Sequence, residues 1–206
     1  MDTLYLIRHT TPAVARGICY GQTDLDVTES FAAETELIRP HLPASIASVY
    51  SSPLKRCSLL ARELFPGHPV RMLPDLMEID CGRWEMRAWD ELPAEEVDPW
   101  MADFVQLPIP GGESYVEMYG RVIRCWDHIK SVKGPGDAAI VAHGGVIRSI
   151  LAAVGGVSLP ESFKTYSLPY GCVVRVEGSE EGWTYRVLST HAPAGREQHK
   201  PKSFYR

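Results

Sequence analysis

Leu4-Tyr5-Leu6-Ile7-Arg8-His9 and Ala138-Ala139-Ile140-Val141-Ala142-His143-Gly144-Gly145 are the two stretches on which the fold turns. Each opens with a short apolar run of β-rich character, fit for a buried parallel strand, and each run stops at a histidine. Ligands of open α/β sheets bind beyond the carboxyl ends of such strands. Two histidines placed there, one beside an arginine, point to anion chemistry rather than packing.

Strand and helix signals alternate around these two runs, the pattern of a mainly parallel sheet covered by helices. Strand 3–8 leads into a loop punctuated by Pro12, Gly17 and Gly21. A helix is predicted over 28–40, a strand over 48–51, a helix over 54–65 behind Ser52-Pro53, and a strand over 70–73. The stretch 75–115 holds Trp84, Trp89 and Trp100 among many acids and prolines, and reads as a cap-like insertion of short helices and loops. A longer helix follows from Ser114 to about 131, then strand 138–142, helix 145–154 and a closing strand pair at 173–176 and 184–188. The expectation is one α/β domain over 1–206, a three-layer α/β/α sandwich with a mainly parallel central sheet and a tail at 192–206.

The 206 residues are 45% hydrophobic, enough for one well-cored domain. The net charge is -5, and the body of the chain shows no basic face of the kind a nucleic-acid binder presents. Arg196, Lys200, Lys202 and Arg206 make the tail basic, which reads as a solvated end. No apolar run approaches the ~20 residues of a membrane span, and no signal-peptide pattern follows Met1. The five cysteines are scattered and include no Cys-x-x-Cys, which favours neither disulfides nor a thiolate zinc site and leads us to expect a reducing cytoplasm. Nothing in the sequence signals an oligomeric state.

Four pieces could carry chemistry. A histidine at a strand end faces the place where anions bind, and a neutral imidazole is a competent nucleophile toward phosphorus. The adjacent Arg8 can hold phosphate oxygens in a fixed fork. Taken alone, Arg8-His9 fits a hydrogen-bonded structural histidine better. Arg56 follows Ser52-Pro53-Leu54-Lys55 on the first turn of a helix, aimed at the same sheet edge, although a surface arginine would look the same. Glu78 stands in a partly apolar setting close to Trp84, where its protonated form would be favoured as a general acid requires. Asp75, Asp80 and Glu85 lie close by, so position alone does not select it. His143-Gly144-Gly145 offers a second imidazole and backbone N–H groups that can approach an anion.

In this order and at these spacings the pieces resemble the histidine phosphatase superfamily, also called the phosphoglycerate mutase-like family. Arg8-His9, Ser52-Pro53-Leu54-Lys55-Arg56, Glu78 ahead of Gly82-Arg83-Trp84-Glu85, Gly111-Gly112-Glu113-Ser114 and His143-Gly144-Gly145 each match its pattern, over about residues 3–190. The resemblance implies that His9 becomes phosphorylated and that Arg8, Arg56 and His143 form the phosphate pocket. It gives Glu78 the task of protonating the leaving oxygen and then activating water. It implies a small phosphate monoester as substrate and no metal or cofactor. His41, His68, His128, His191 and His199 have no motif context and read as surface or structural.

Departures narrow the resemblance. The family's usual Arg-His-Gly is replaced by Arg8-His9-Thr10-Thr11-Pro12, and the asparagine common in the next loop has no counterpart. The loop Cys19-Tyr20-Gly21-Gln22-Thr23-Asp24 and Trp84-Glu85-Met86 look like the bacterial α-ribazole phosphatases, which would act on α-ribazole 5′-phosphate in cobalamin biosynthesis. Tyr20, Gly21 and Gln22 are the corresponding candidates for substrate binding, with Trp84 and 112–114 as further candidates to touch the leaving group; loop packing explains these residues equally well. A broad-specificity sugar or nucleotide phosphatase is the alternative. A mutase is disfavoured because Glu78 is followed by Ile79-Asp80-Cys81 and the cap is acidic. An inactive phospho-ligand binder is disfavoured because all five core residues are present.

Overall fold

A computed structural model describes residues 2–189. The basic tail, with His191 and His199, lies outside the described residues. The sheet has six strands in the order β3-β2-β4-β1-β5-β6. Strands β1 (Asp2–Arg8), β2 (Ser48–Ser51), β3 (Val70–Met72) and β4 (Ala138–Ala142) run parallel. Strands β5 (Val173–Ser179) and β6 (Gly182–Ser189) run antiparallel as the closing pair. This is the mainly parallel sheet expected, flanked by helices on both faces.

The continuous apolar runs are explained by burial on both sides. Leu4, Leu6, Ile140 and Ala142 face one core, while Tyr5, Ile7, Ala139 and Val141 face the other. Helices α4 (Tyr115–Val132) and α5 (Gly144–Gly155) cover the first with Met118, Val122, Ile129, Ile147 and Ile150. Helices α1 (Phe31–Ile38) and α2 (Lys55–Leu64) cover the second with Ile38, Leu60, Ala61 and Leu64. A third cluster joins Cys19 to the 75–115 stretch through Cys81, Trp84, Leu92, Trp100 and Ile109. That stretch contains only short 3-10 turns and α3 (Ala94–Ala102).

Element ends differ from expectation for local reasons. Helix α1 begins three residues late, because Thr28 and Ser30 hydrogen-bond to each other and Ser30 donates to Glu34. Glu34 in turn accepts from the Thr11 N–H at 2.8 Å and so anchors the loop after His9. Helix α6 (Leu159–Thr165) was not foreseen. Its seven residues are too few to show a helical period. None of the five cysteines, all buried and among the described residues, is in a disulfide. Among those residues no single helix is long and apolar enough to cross a membrane.

Helix α4 starts with a capping box: Ser114 Oγ accepts from the Glu117 N–H, and the Glu117 carboxylate accepts from the Ser114 N–H. Ser114→Ala is expected to cost about 1 kcal/mol of stability, read as a lower midpoint in urea unfolding at an unchanged slope.

Candidate active site

The parallel register brings the strand ends level. Arg8 lies opposite Ala142, and Ser51 opposite Val141. The next residues, His9 and Ser52, then donate their N–H groups to the carbonyls of Ala142 and Val141 at 3.0 Å each. His9, Ser52 and His143 thus emerge side by side at one sheet edge. Because β5 is antiparallel, its beginning lies at that same edge. Arg8 N donates to Cys172 O at 3.0 Å, and Gly171 N donates to His9 O at 3.1 Å.

His9 is 2% exposed and lines a cavity together with Arg8, Arg56, Glu78, Gly144 and Gly145. Its Nδ1 lies 2.7 Å from the Thr10 carbonyl. A carbonyl only accepts, so Nδ1 carries the proton and Nε2 keeps its lone pair. Arg8 donates through Nη1 to the Leu168 carbonyl and lies over the Tyr170 ring, 4.2 Å from its centroid. Arg56 is fully buried and donates to the carbonyls of Gly21 at 2.6 Å and Thr23 at 2.8 Å. Its buried Nε–H has no hydrogen-bond partner among the described residues.

His143 is fully buried behind the cavity wall, its ring centroid 5.1 Å from that of His9. Its Nε2 pairs with Ser52 Oγ at 2.8 Å, with Cys57 Sγ at 3.4 Å. Burial, followed by the nearby Arg56 guanidinium, pushes its pKa well below the ordinary histidine value. It is therefore a neutral imidazole at physiological pH.

Of the four carboxylates in 75–85, only Glu78 lines the cavity. Its oxygens accept from the N–H groups of Gly145 and Ile79, at 3.0 Å each. A Cβ on Gly145 would overlap the Glu78 carboxyl, so the second glycine of His-Gly-Gly makes room for this acid. Glu85 is spent elsewhere: it accepts from Gly21 N, Gln22 N, Thr23 N, Thr23 Oγ1 and Cys81 N. Asp80 accepts from Gly82 N. The Glu78 segment is clamped from α4 by Arg121, which donates to the carbonyls of Asp75, Met77 and Glu78 and pairs with Glu113 at 2.6 Å.

Among the candidates for substrate contact, Tyr20 lines the cavity, whereas Gly21, Gln22 and Trp84 do not. Gly21 and Gln22 build the loop behind the wall, where the Gln22 amide donates to the Glu78 carbonyl at 3.1 Å. Any side chain at Gly21 would run into the Ile79 carbonyl. Trp84 is fully buried and donates Nε1 to Glu96 at 2.8 Å. The 112–114 segment caps α4 and, through Glu113, holds Arg121. Aromatic residues that the sequence analysis did not assign to the site form the outer wall, Trp100, Phe104 and Phe163 beside Trp89, while Tyr170 lies further in with its ring 5.3 Å from that of His9. Trp89 and Trp100 stack with centroids 6.1 Å apart.

A nucleophilic imidazole flanked by guanidiniums, with a carboxyl across the cavity, can carry out phosphoryl transfer. The adenosylcobalamin/alpha-ribazole phosphatase of Salmonella typhimurium is 27% identical over 197 residues, 92% of this chain and 96% of that one. A putative phosphoserine phosphatase 2 of Hydrogenobacter thermophilus is 28% identical over 193 residues, 90% of this chain and 95% of that one. The crystal structure of the alpha-ribazole phosphatase from Shigella flexneri superposes with a TM-score of 0.85 at 25% identity, covering 94% of this chain and 99% of that one. The sequence profile of the histidine phosphatase superfamily (branch 1) matches residues 4–191, and the chain belongs to that family of phosphatases.

Proposed function

We propose that this protein is a phosphomonoesterase that works through a phosphohistidine at His9 and hydrolyses α-ribazole 5′-phosphate to α-ribazole and phosphate. The observation that carries the mechanism is the His9 Nδ1 contact with the Thr10 carbonyl, which puts the ring proton on Nδ1 and the lone pair on Nε2 of a residue that lines the cavity. Nε2 attacks phosphorus and the bond to the ester oxygen breaks, while the Glu78 carboxyl delivers a proton to that oxygen. Water then attacks the phosphohistidine, Glu78 takes a proton from it, and the P–N bond breaks to restore the imidazole. Arg8 and Arg56 hold the phosphoryl oxygens throughout. His143, kept neutral, stabilises the charge that builds on them.

The substrate reading rests on the aromatic outer wall. A flat, weakly polar base such as that of α-ribazole gains from stacking on Trp100, Phe104 or Phe163. The ammonium and carboxylate of phosphoserine, the substrate named for another relative, call for polar partners, and this wall offers mainly rings and the Arg148 guanidinium.

His9→Ala should lower aryl phosphate hydrolysis by roughly 10³-fold or more; an unchanged rate would sink the phosphohistidine. Glu78→Gln should slow an alkyl phosphate by about 10²-fold and an aryl phosphate with a good leaving group much less, since only the former needs the proton. Across a panel of α-ribazole phosphate, phosphoserine, sugar phosphates and phosphoglycerates, the first should give the highest kcat/KM.

The neutral His143 predicts a pH dependence of stability. Its folded pKa lies below the unfolded value of about 6.5, so the unfolded chain binds the extra proton first as the pH falls. Stability should therefore decline below about pH 6.5. His143→Gln should flatten that decline, measured by urea unfolding between about pH 8 and 5.

A further inference from the structure

Arg8 and Arg56 approach the cavity from different elements, β1 and α2, and a chain of aromatic contacts runs between them. The guanidinium of Arg8 lies 4.2 Å from the Tyr170 ring centroid, and that of Arg56 lies 5.6 Å from the Tyr20 ring centroid. The hydroxyls of Tyr20 and Tyr170 meet at 2.6 Å, across 150 residues of sequence. The Tyr170 ring also stands 5.3 Å from the His9 ring. Both tyrosines line the cavity, and Tyr170 is 6% exposed.

We propose that Tyr20 and Tyr170 act as a pair of positioning residues that fix the spacing of the two phosphate-binding arginines through their hydroxyl bridge. The physical reasons are direct. Two guanidiniums brought toward one anion repel each other. Each ring offers its negative face to one cation, offsetting part of that repulsion, and leaves N–H edges directed at the ligand. The hydroxyl bridge makes the two rings one unit, so that a shift of the 17–24 loop is felt at Arg8 and His9. The backbone bonds of Gly171 to His9 and of Arg8 to Cys172 carry the same segment against the nucleophile. This inference rests on the proposed roles of Arg8 and Arg56, and His9→Ala tests the phosphohistidine separately.

The test is a double-mutant cycle read by vanadate inhibition and by kcat and KM for an aryl phosphate. Tyr20→Phe and Tyr170→Phe keep both ring faces and lose the bridge. Each should weaken vanadate binding about fivefold, and the double variant should be no weaker than either single one. Tyr170→Leu, which also removes the face under Arg8, should lower kcat/KM and vanadate affinity by roughly tenfold more. A merely structural tyrosine would lower the melting temperature and leave vanadate affinity of the folded protein unchanged. Phe variants within twofold of wild type in vanadate affinity, or single losses that multiply in the double variant, would overturn the bridge. These Phe variants decide the matter even if Tyr170→Leu fails to fold. A dead His9→Ala beside a normal cycle would reject this inference alone.

Discussion

Two buried guanidiniums at one sheet edge are the constraint around which the rest is arranged. Arg8 is 9% exposed and Arg56 fully buried. Their N–H groups reach the carbonyls of Leu168, Gly21 and Thr23, and their faces meet tyrosine rings. Carbonyl dipoles and ring quadrupoles offset a buried charge without cancelling it. That remaining charge is what the proposed phosphate-binding role of the two arginines draws on. The same field acts on His143, where Arg56 and Arg8 add to burial in disfavouring a second proton. A neutral imidazole beside His9 follows first from burial and then from the placement of the arginines.

Holding those groups takes a second set of charged residues that never reaches the cavity. Glu85 gathers five N–H and O–H donors from the 20–23 loop and Cys81, and so fixes the carbonyls that Arg56 uses. Arg121 and Glu113, with side chains only 13% and 20% exposed, pin the segment that carries Glu78. Asp24 accepts from Lys55 N at 2.6 Å and seats the first turn of α2, whose N-cap Leu54 has no capping side chain of its own. An ion pair this enclosed is a matter of geometry more than of net stability. Its effect is to set where one carboxyl and one guanidinium stand.

The sequence disclosed whatever depends on strand ends. Apolar runs stopping at His9 and His143, and a helix start carrying Arg56, are local patterns, and parallel pairing makes them coincide in space. Glu78 was less legible, because four acids share that stretch and what separates them is three-dimensional: Glu78 lines the cavity and accepts from Gly145 N, whereas Glu85 turns to the 21–23 loop. Tyr170 carried no local signal at all. It reaches the site because β5 runs antiparallel to β1, a pairing direction that periodicity does not report. For Trp84 the sequence left both substrate contact and packing open, and packing holds: its indole belongs to the third apolar cluster while Trp89 and Trp100 line the cavity.

The cavity therefore has two ends with different origins. The reactive end is built from β1, β4, α2 and α5, where a shift of one residue in register would turn every side chain to the opposite face of the sheet. The outer end is built from 89–109 and α6, short elements joined by loops, with Phe104 against Phe163 at 4.8 Å between ring centroids. Thr10 belongs to the first: it is fully buried, does not line the cavity, and fixes the His9 tautomer through its carbonyl. A threonine in place of the family's usual glycine thus meets the site through the backbone of its loop. Under the proposed reaction the phosphoryl group is common to every candidate ester, so discrimination among them would fall to the aromatic end, where Trp100 and Phe104 line the cavity.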